Sequence, residues 1–287
     1  MSDTKLSSAL TRCRARKSGE ETPVPLPFGS LADKLNGGLW PGVHFLVGGT
    51  GSGKTQLALQ CCLHAASAGV PALYVGLELD HEEVVTRVVG LLSGERWSRL
   101  LYAKAPMAVI GKAFDRASDV LAQVPLRLES CDAMRWTSED LLGRVADMRA
   151  VHPTGPLLVV VDYLQVLQSP PGERQDLRER IGRASYAARN AARKHDAAVL
   201  VLSSTARENY KRISEAKSPG ELVGTGKESG EVEYSADSVM VLCPDAESNR
   251  TRLALAKVRA GCVAWADLEF DGGRFSEPLH LQGEDVK

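Results

Sequence analysis

Four apolar runs of strand length punctuate the chain: Val43 to Val47, Ala72 to Leu77, Leu157 to Val161 and Ala197 to Ser203. Runs that are apolar throughout and rich in Val and Leu predict strands buried on both faces, as in the centre of a parallel sheet. Between them the pattern turns helical. Thr55 to Ala66 predicts an apolar helix, and Asp80-His81-Glu82-Glu83 is a capping box opening a helix through about Ser93. Residues 96–122 predict helix, Pro125 to Glu129 a short strand, and Ser138 the start of another capped helix. Arg174 to His195 predicts a long charged, Ala-rich helix. Beyond it lie closely spaced strands, Ser238 to Cys243, Thr251 to Lys257 and Ala264 to Phe270. Asp271-Gly272-Gly273 is a hairpin-type turn before Phe275. Alternating β and α followed by a small meander predicts an α/β fold, a mainly parallel sheet flanked by helices, with a C-terminal antiparallel β extension.

Residues 1–22 are polar and basic (Lys5, Arg12, Arg14, Arg16, Lys17). They predict either a flexible N-terminal segment or a short helix from Ser7 to Arg14 docking on a neighbouring subunit. One folded domain is expected over 23–287. A hydrophobic fraction of 44% and a charged fraction of 25% over 287 residues are those of a soluble globular protein. The formal net charge of −1 gives no global pull towards nucleic acid or membrane. Contact with a polyanion must therefore come from locally clustered Lys and Arg. Six cysteines without a C-x-x-C pair predict reduced thiols in a cytoplasmic protein. No run of 18 apolar residues and no signal-peptide pattern argue for a membrane span or secretion.

The decisive chemistry lies at Gly48-Gly49-Thr50-Gly51-Ser52-Gly53-Lys54-Thr55, a complete phosphate-binding loop between the first strand and its helix. Glycines leave no Cβ between backbone N–H groups and a polyphosphate. Lys54 reaches the β- and γ-phosphates, and the Thr55 hydroxyl ligands Mg²⁺. The helix N-terminus completes an anion site, so the chain is expected to bind a nucleoside triphosphate. Two acids follow apolar strands. Asp162 closes the run Leu157 to Val161, at the carboxyl end of a strand, where ligands bind in such sheets. That placement suits a second acid in the Mg²⁺ shell. Glu78 follows Leu77 and is the best-placed general base for hydrolysis. The segment 206–231 is long, irregular and basic, with four glycines, and suits sequence-independent contact with phosphates.

Gly76-Leu77-Glu78-Leu79-Asp80 with Arg87, Val160-Val161-Asp162-Tyr163-Leu164-Gln165, Glu228 to Asp237, and Lys257-Val258-Arg259-Ala260-Gly261 recur here in one order. In this the chain resembles the RecA-type ATPase (C-terminal) domain of DnaB-family replicative helicases, over about residues 24–280. The resemblance implies a RecA-like P-loop core, ATP and Mg²⁺ as cofactors, and a homo-oligomeric, hexameric ring moving 5′ to 3′ on single-stranded DNA. It implies that Lys54 and Thr55 hold phosphates and Mg²⁺, that Glu78 activates water and that Asp162 completes the metal shell. Lys257 and Arg259, two apart on a strand and so on one face, would reach the neighbouring subunit's γ-phosphate. Arg207, Lys227, Glu228 and Gly230 would line the DNA channel. A loader or other protein partner is also implied.

Two departures qualify that picture. About 22 residues precede the core, leaving no room for the family's helical N-terminal domain. Ser204 stands where the family has a glutamine that senses the γ-phosphate, a loss that translocation tolerates less well than hydrolysis does. The competing expectation is a RecA/KaiC-like regulatory or defence ATPase whose nucleotide state controls assembly with a partner protein. A non-catalytic scaffold with ATP as interface glue is disfavoured by the intact Lys54, Glu78 and Asp162.

Overall fold

The computed structural model describes residues 2–130, 136–163, 177–205, 208–226, 236–245 and 247–278. The strands are β1 (Gly42–Gly48), β2 (Ala72–Gly76), β3 (Leu126–Ser130), β4 (Leu158–Asp162), β5 (Ala198–Ser204), β6 (Ser238–Pro244), β7 (Arg250–Val258), β8 (Ala264–Phe270) and β9 (Phe275–Ser276). Among the described residues they form one sheet, ordered β3-β2-β4-β5-β1-β6-β7-β8-β9. Pairing is parallel from β3 to β6 and antiparallel from β6 to β9. This is the expected parallel core with its antiparallel extension.

Every residue of β2 and β4 is buried, because helices cover both faces. On one face Leu46, Tyr74, Val160 and Leu200 pack with Leu57, Leu59 and Cys62 of α3 (Lys54–Ser67). On the other, Phe45, Val159 and Val201 meet Leu141 and Val145 of α7 (Ser138–Val151) and Ile181 and Ala188 of α8 (Leu177–His195). The remaining helices are α1 (Ser2–Ser18), α2 (Gly29–Lys34), α4 (His81–Ser93), α5 (Trp97–Leu101), α6 (Met107–Leu121) and α9 (Asn209–Glu215). No helix among the described residues is long and apolar enough to cross a membrane.

Local chemistry departs from expectation in a few places. The N-terminal segment forms the helix α1, longer than the expected stretch from Ser7 to Arg14. Asp80 caps α4 by accepting from the Glu83 N–H, but the Glu83 carboxylate pairs with Arg87 at 2.7 Å instead of closing the box. Complete boxes open α7, where Thr137 and Asp140 bond reciprocally, and the 3₁₀ turn Pro219–Leu222, where Ser218 and Glu221 do. The stretch 96–122 is two helices, because Pro106 starts α6 and ends the possibility of one continuous rod. The supposed irregular stretch after β5 contains α9 and a 3₁₀ turn, Pro219–Leu222.

The last strand is fastened in an unusual way. Gln60, buried in α3, donates from Nε2 to the Phe275 carbonyl (2.8 Å) and accepts from the Phe275 N–H (3.0 Å). A side-chain amide thus pairs with β9 as a neighbouring strand would. This holds the stacked rings of Phe270 and Phe275, 4.2 Å apart, against the start of α3.

Candidate nucleotide site

Register gathers the site at one edge of the sheet. Gly48 at the end of β1 lies beside Ser204 of β5, and Gly76 at the end of β2 beside Asp162 of β4. The loop leaving β1 therefore faces the two acids that follow β2 and end β4. Its conformation needs glycine at named positions. Gly51 and Gly53 have φ of +78° and +90°, and a Cβ on Gly53 would lie 2.7 Å from the Phe275 ring. A Cβ on Gly48 would lie 2.6 Å from Ser52 Oγ. The ammonium of Lys54 is turned back over the loop, donating to the carbonyls of Gly48 (2.9 Å) and Gly49 (2.8 Å). Burial lowers the Lys54 pKa, while the charges of Asp162 and Glu78 pull the other way.

Asp162 is buried, and its Oδ2 accepts a 2.6 Å bond from the hydroxyl of the fully buried Tyr74. The Thr55 hydroxyl donates to the same carboxylate. Burial nevertheless dominates and raises the Asp162 pKa above the usual aspartate value. Glu78, two residues beyond β2, is exposed, yet crowding at the site and then the Asp162 charge push its carboxyl upward. Two acids and a lysine thus converge around a loop whose Ser52 Oγ is buried without a hydrogen-bond partner. A glycine-lined concavity, an orphaned hydroxyl, a cation and paired acids fit a polyphosphate with a divalent metal.

Lys257 and Arg259 stand elsewhere. Lys257 pairs with Val239 across a register shift in β7, and Arg259 follows one residue beyond the strand's end. The shift lies before Lys257, and Lys257 and Arg259, two apart beyond it, share the face of Val239. Arg259 bonds Asp237 twice, from its N–H to the carbonyl (2.8 Å) and from Nη1 to Oδ1 (3.1 Å). Asp237 also accepts from the Val43 N–H at 2.9 Å. This fixes Arg259 beside the start of β1, whereas the phosphate loop leaves its end. Five strand residues, roughly 17 Å, separate the two. The structure does not bring Arg259 to its own chain's loop.

Arg207, Lys227, Glu228 and Gly230, and Leu164 and Gln165 of the second acidic motif, lie outside the described residues. Thr205 and Gly226, which immediately precede these segments, are joined by an isolated antiparallel bridge. Sequence reasoning missed Tyr74, Gln60 and Tyr210 as site residues. Tyr74 and Gln60 carried a usable signal, since a tyrosine in an apolar strand and a glutamine in an apolar helix need polar partners when buried.

Comparison with known proteins supplies the lineage. The family model described as DnaB-like helicase C terminal domain matches residues 24–276. The replicative DNA helicase DnaB of Geobacillus stearothermophilus is 24% identical over 281 residues, covering 88% of this chain and 56% of that protein. The replicative DNA helicase DnaB of Treponema pallidum is 26% identical over 242 residues, covering 83% and 52%. The chain therefore spans about half the length of these curated relatives. A solved ATPase domain superposes with a TM-score of 0.81 at 21% identity, covering 95% of this chain and 98% of that one. A structure of a DnaB-like replicative helicase and its interactions with primase superposes at 0.80 and 20% identity, covering 95% and 66%. The fold is theirs, and with the family model matched from Val24 to Ser276, the chain belongs to the DnaB-like helicase C-terminal domain family.

Proposed function

We propose that this chain is the ATP-hydrolysing motor domain of a ring-forming, DnaB-like helicase acting on single-stranded DNA. The observation that carries this is the convergence of Lys54, Glu78 and Asp162 on a glycine-lined loop while Arg259 is held at the opposite sheet edge. The backbone N–H groups of the loop and the Lys54 ammonium hold the β- and γ-phosphates. Thr55 and Asp162 hold Mg²⁺, which when bound neutralises charge on the phosphates. Tyr74 fixes the Asp162 carboxylate through Oδ2, so that its other oxygen keeps one direction. Glu78 accepts a proton from the attacking water, a role that a raised pKa favours.

A site with no arginine of its own finger pair within reach is completed by another subunit. Arg259, with Lys257, would stabilise the charge developing on a neighbour's γ-phosphate, a contribution of about 10³ or more in rate. α1 suits the same assembly. Arg12 ties it to Asp196 at 3.0 Å, and its exposed Leu6 and Leu10 form an i,i+4 apolar pair for a second copy of the chain. Arg207, Lys227, Glu228 and Gly230 would contact the strand, by charge and backbone rather than base identity.

The test is the ATPase rate with and without single-stranded DNA, then strand displacement from a forked duplex. Stimulation by DNA with unwinding is expected. ATP hydrolysis indifferent to DNA, with no unwinding at any subunit concentration, would sink the motor assignment.

A further inference from the structure

Tyr210 lies against the phosphate loop, though no motif points to it. α9 carries it there from the segment after β5. Its hydroxyl accepts from the Thr50 N–H at 3.3 Å, and a methyl group on Gly49 would lie 3.2 Å from its Cζ. Lys54 donates to the Gly49 carbonyl, so the ring borders the residue that orients the ammonium. The hydroxyl therefore stands at the end of the loop where the lysine receives the terminal phosphates. It also occupies one of the loop's own N–H donors.

The helix that delivers it is lightly anchored. Ile213 is its buried residue, and its other described ties run forward along the chain. Asn209 donates to the Thr225 carbonyl (3.1 Å), and Arg212 to the carbonyls of Val223 (2.9 Å) and Glu221. Thr225 in turn accepts from Thr205 Oγ1, and the Thr205 N–H donates to the Gly48 carbonyl at 3.2 Å. Phosphate loop, α9 and residues 221–226 thus form one closed hydrogen-bonded circuit. Few buried apolar contacts make such a helix cheap to displace.

We propose that Tyr210 is a nucleotide-contacting residue that distinguishes ATP from ADP: its hydroxyl passes from the Thr50 N–H to the terminal phosphate and draws α9 with it, loosening the hydrogen bonds that α9 makes to residues 221–226. A phenol both accepts and donates, so the same oxygen serves the empty loop as acceptor and the phosphate as donor. The inference rests on the nucleoside triphosphate site described above and deepens it.

The test compares wild type, Tyr210→Phe and Tyr210→Ala in equilibrium binding of a slowly hydrolysed ATP analogue and of ADP. Hydrogen exchange of peptides covering 209–226 is followed alongside. A hydrogen bond to a charged phosphate predicts that Tyr210→Phe weakens the ATP analogue about tenfold while ADP affinity hardly changes. In wild type the analogue alters exchange in 209–226, and in Tyr210→Phe it binds at saturation without doing so. A merely structural tyrosine would move both nucleotides together or neither. Unchanged discrimination and an unchanged exchange response in Tyr210→Phe would overturn the assignment of Tyr210 alone. Failure of wild type to bind either nucleotide would instead overturn the site on which it rests. Tyr210→Ala separates hydroxyl from ring: it should lose ATP discrimination at least as fully, and retained discrimination there also counts against the proposal.

Discussion

Asp162 sits where a carboxylate is least at ease, at the end of a strand buried at every position, and its pKa is raised mainly by that burial. A raised pKa means the folded state holds the proton more tightly than the unfolded chain. Stability is therefore full below the ordinary aspartate range and declines as pH rises through the raised value. Asp162→Asn removes the charge and still offers Tyr74 an acceptor. It should raise stability near neutrality by about 1 kcal/mol, a size common for relief at functional sites. The difference should vanish in acid, and hydrolysis should be lost. Thermal melts from pH 3.5 to 8 check this, and a variant less stable at every pH would show that the carboxylate serves the fold. Glu78 adds a kinetic counterpart. Its raised pKa predicts an acid limb of kcat above the ordinary glutamate range, and Glu78→Gln should abolish turnover while sparing nucleotide binding, as a pH–rate profile with a binding titration reads out. Lys54 was legible through the Gly-rich motif, and Glu78 and Asp162 because one follows and the other closes an apolar strand, whose register brings the strand ends together. Tyr74 was not, because a hydroxyl inside a strand announces a need for a partner without naming it.

At the scale of elements, the phosphate loop is backed by the distant end of the chain. The ring of Phe275 lies where any side chain on Gly53 would fall, and Gln60 holds that ring in place through both backbone groups of the residue. Gln60→Leu leaves a buried N–H and a buried carbonyl without partners, a cost of about 2 kcal/mol or more. The midpoint of urea unfolding should fall accordingly, and nucleotide affinity should weaken with it as Gly53 loses its backing. Lost stability with full affinity would mean that β9 serves the fold alone. The strands and long helices were legible because their periodicity is strong. The short pieces were not: α9 and the 3₁₀ turn lie in polar, glycine-rich chain and are held by side chains bonding backbone, as Arg212 does. One signal there was readable and missed, since Ser218-Pro219-Gly220-Glu221 has capping-box spacing with proline at the first helical position.

At the scale of the whole molecule, the separation of Arg259 from its own phosphate loop becomes a statement about assembly. Asp237 ties Arg259 to the start of β1 through four hydrogen bonds, two with Arg259 and two exchanged with Val43, so flexing of a loose loop does not carry the guanidinium to the loop at the other end of that strand. On the proposed reading each site is shared between two copies in a head-to-tail contact, which closes into a ring when the rotation permits. Such sharing has a consequence that no single variant reveals. Lys54→Ala destroys the phosphate-binding half of a site and Arg259→Ala the finger half, so each protein alone should be inactive, although Arg259→Ala should still bind nucleotide nearly as wild type does. Mixed in equal amounts under exchange, the two should place an intact loop beside an intact finger at about a quarter of their interfaces. Hydrolysis should return at a fraction of that order, lower if turnover must pass sequentially around the ring. Mixtures that stay inactive although mass measurement shows the two proteins co-assembled would mean that Arg259 serves its own subunit after a rearrangement that breaks the Asp237 pair. Asp237→Asn distinguishes these outcomes further: it frees the guanidinium, which should slow hydrolysis if the clamp positions a finger for the neighbour and speed it if the clamp only holds the arginine back.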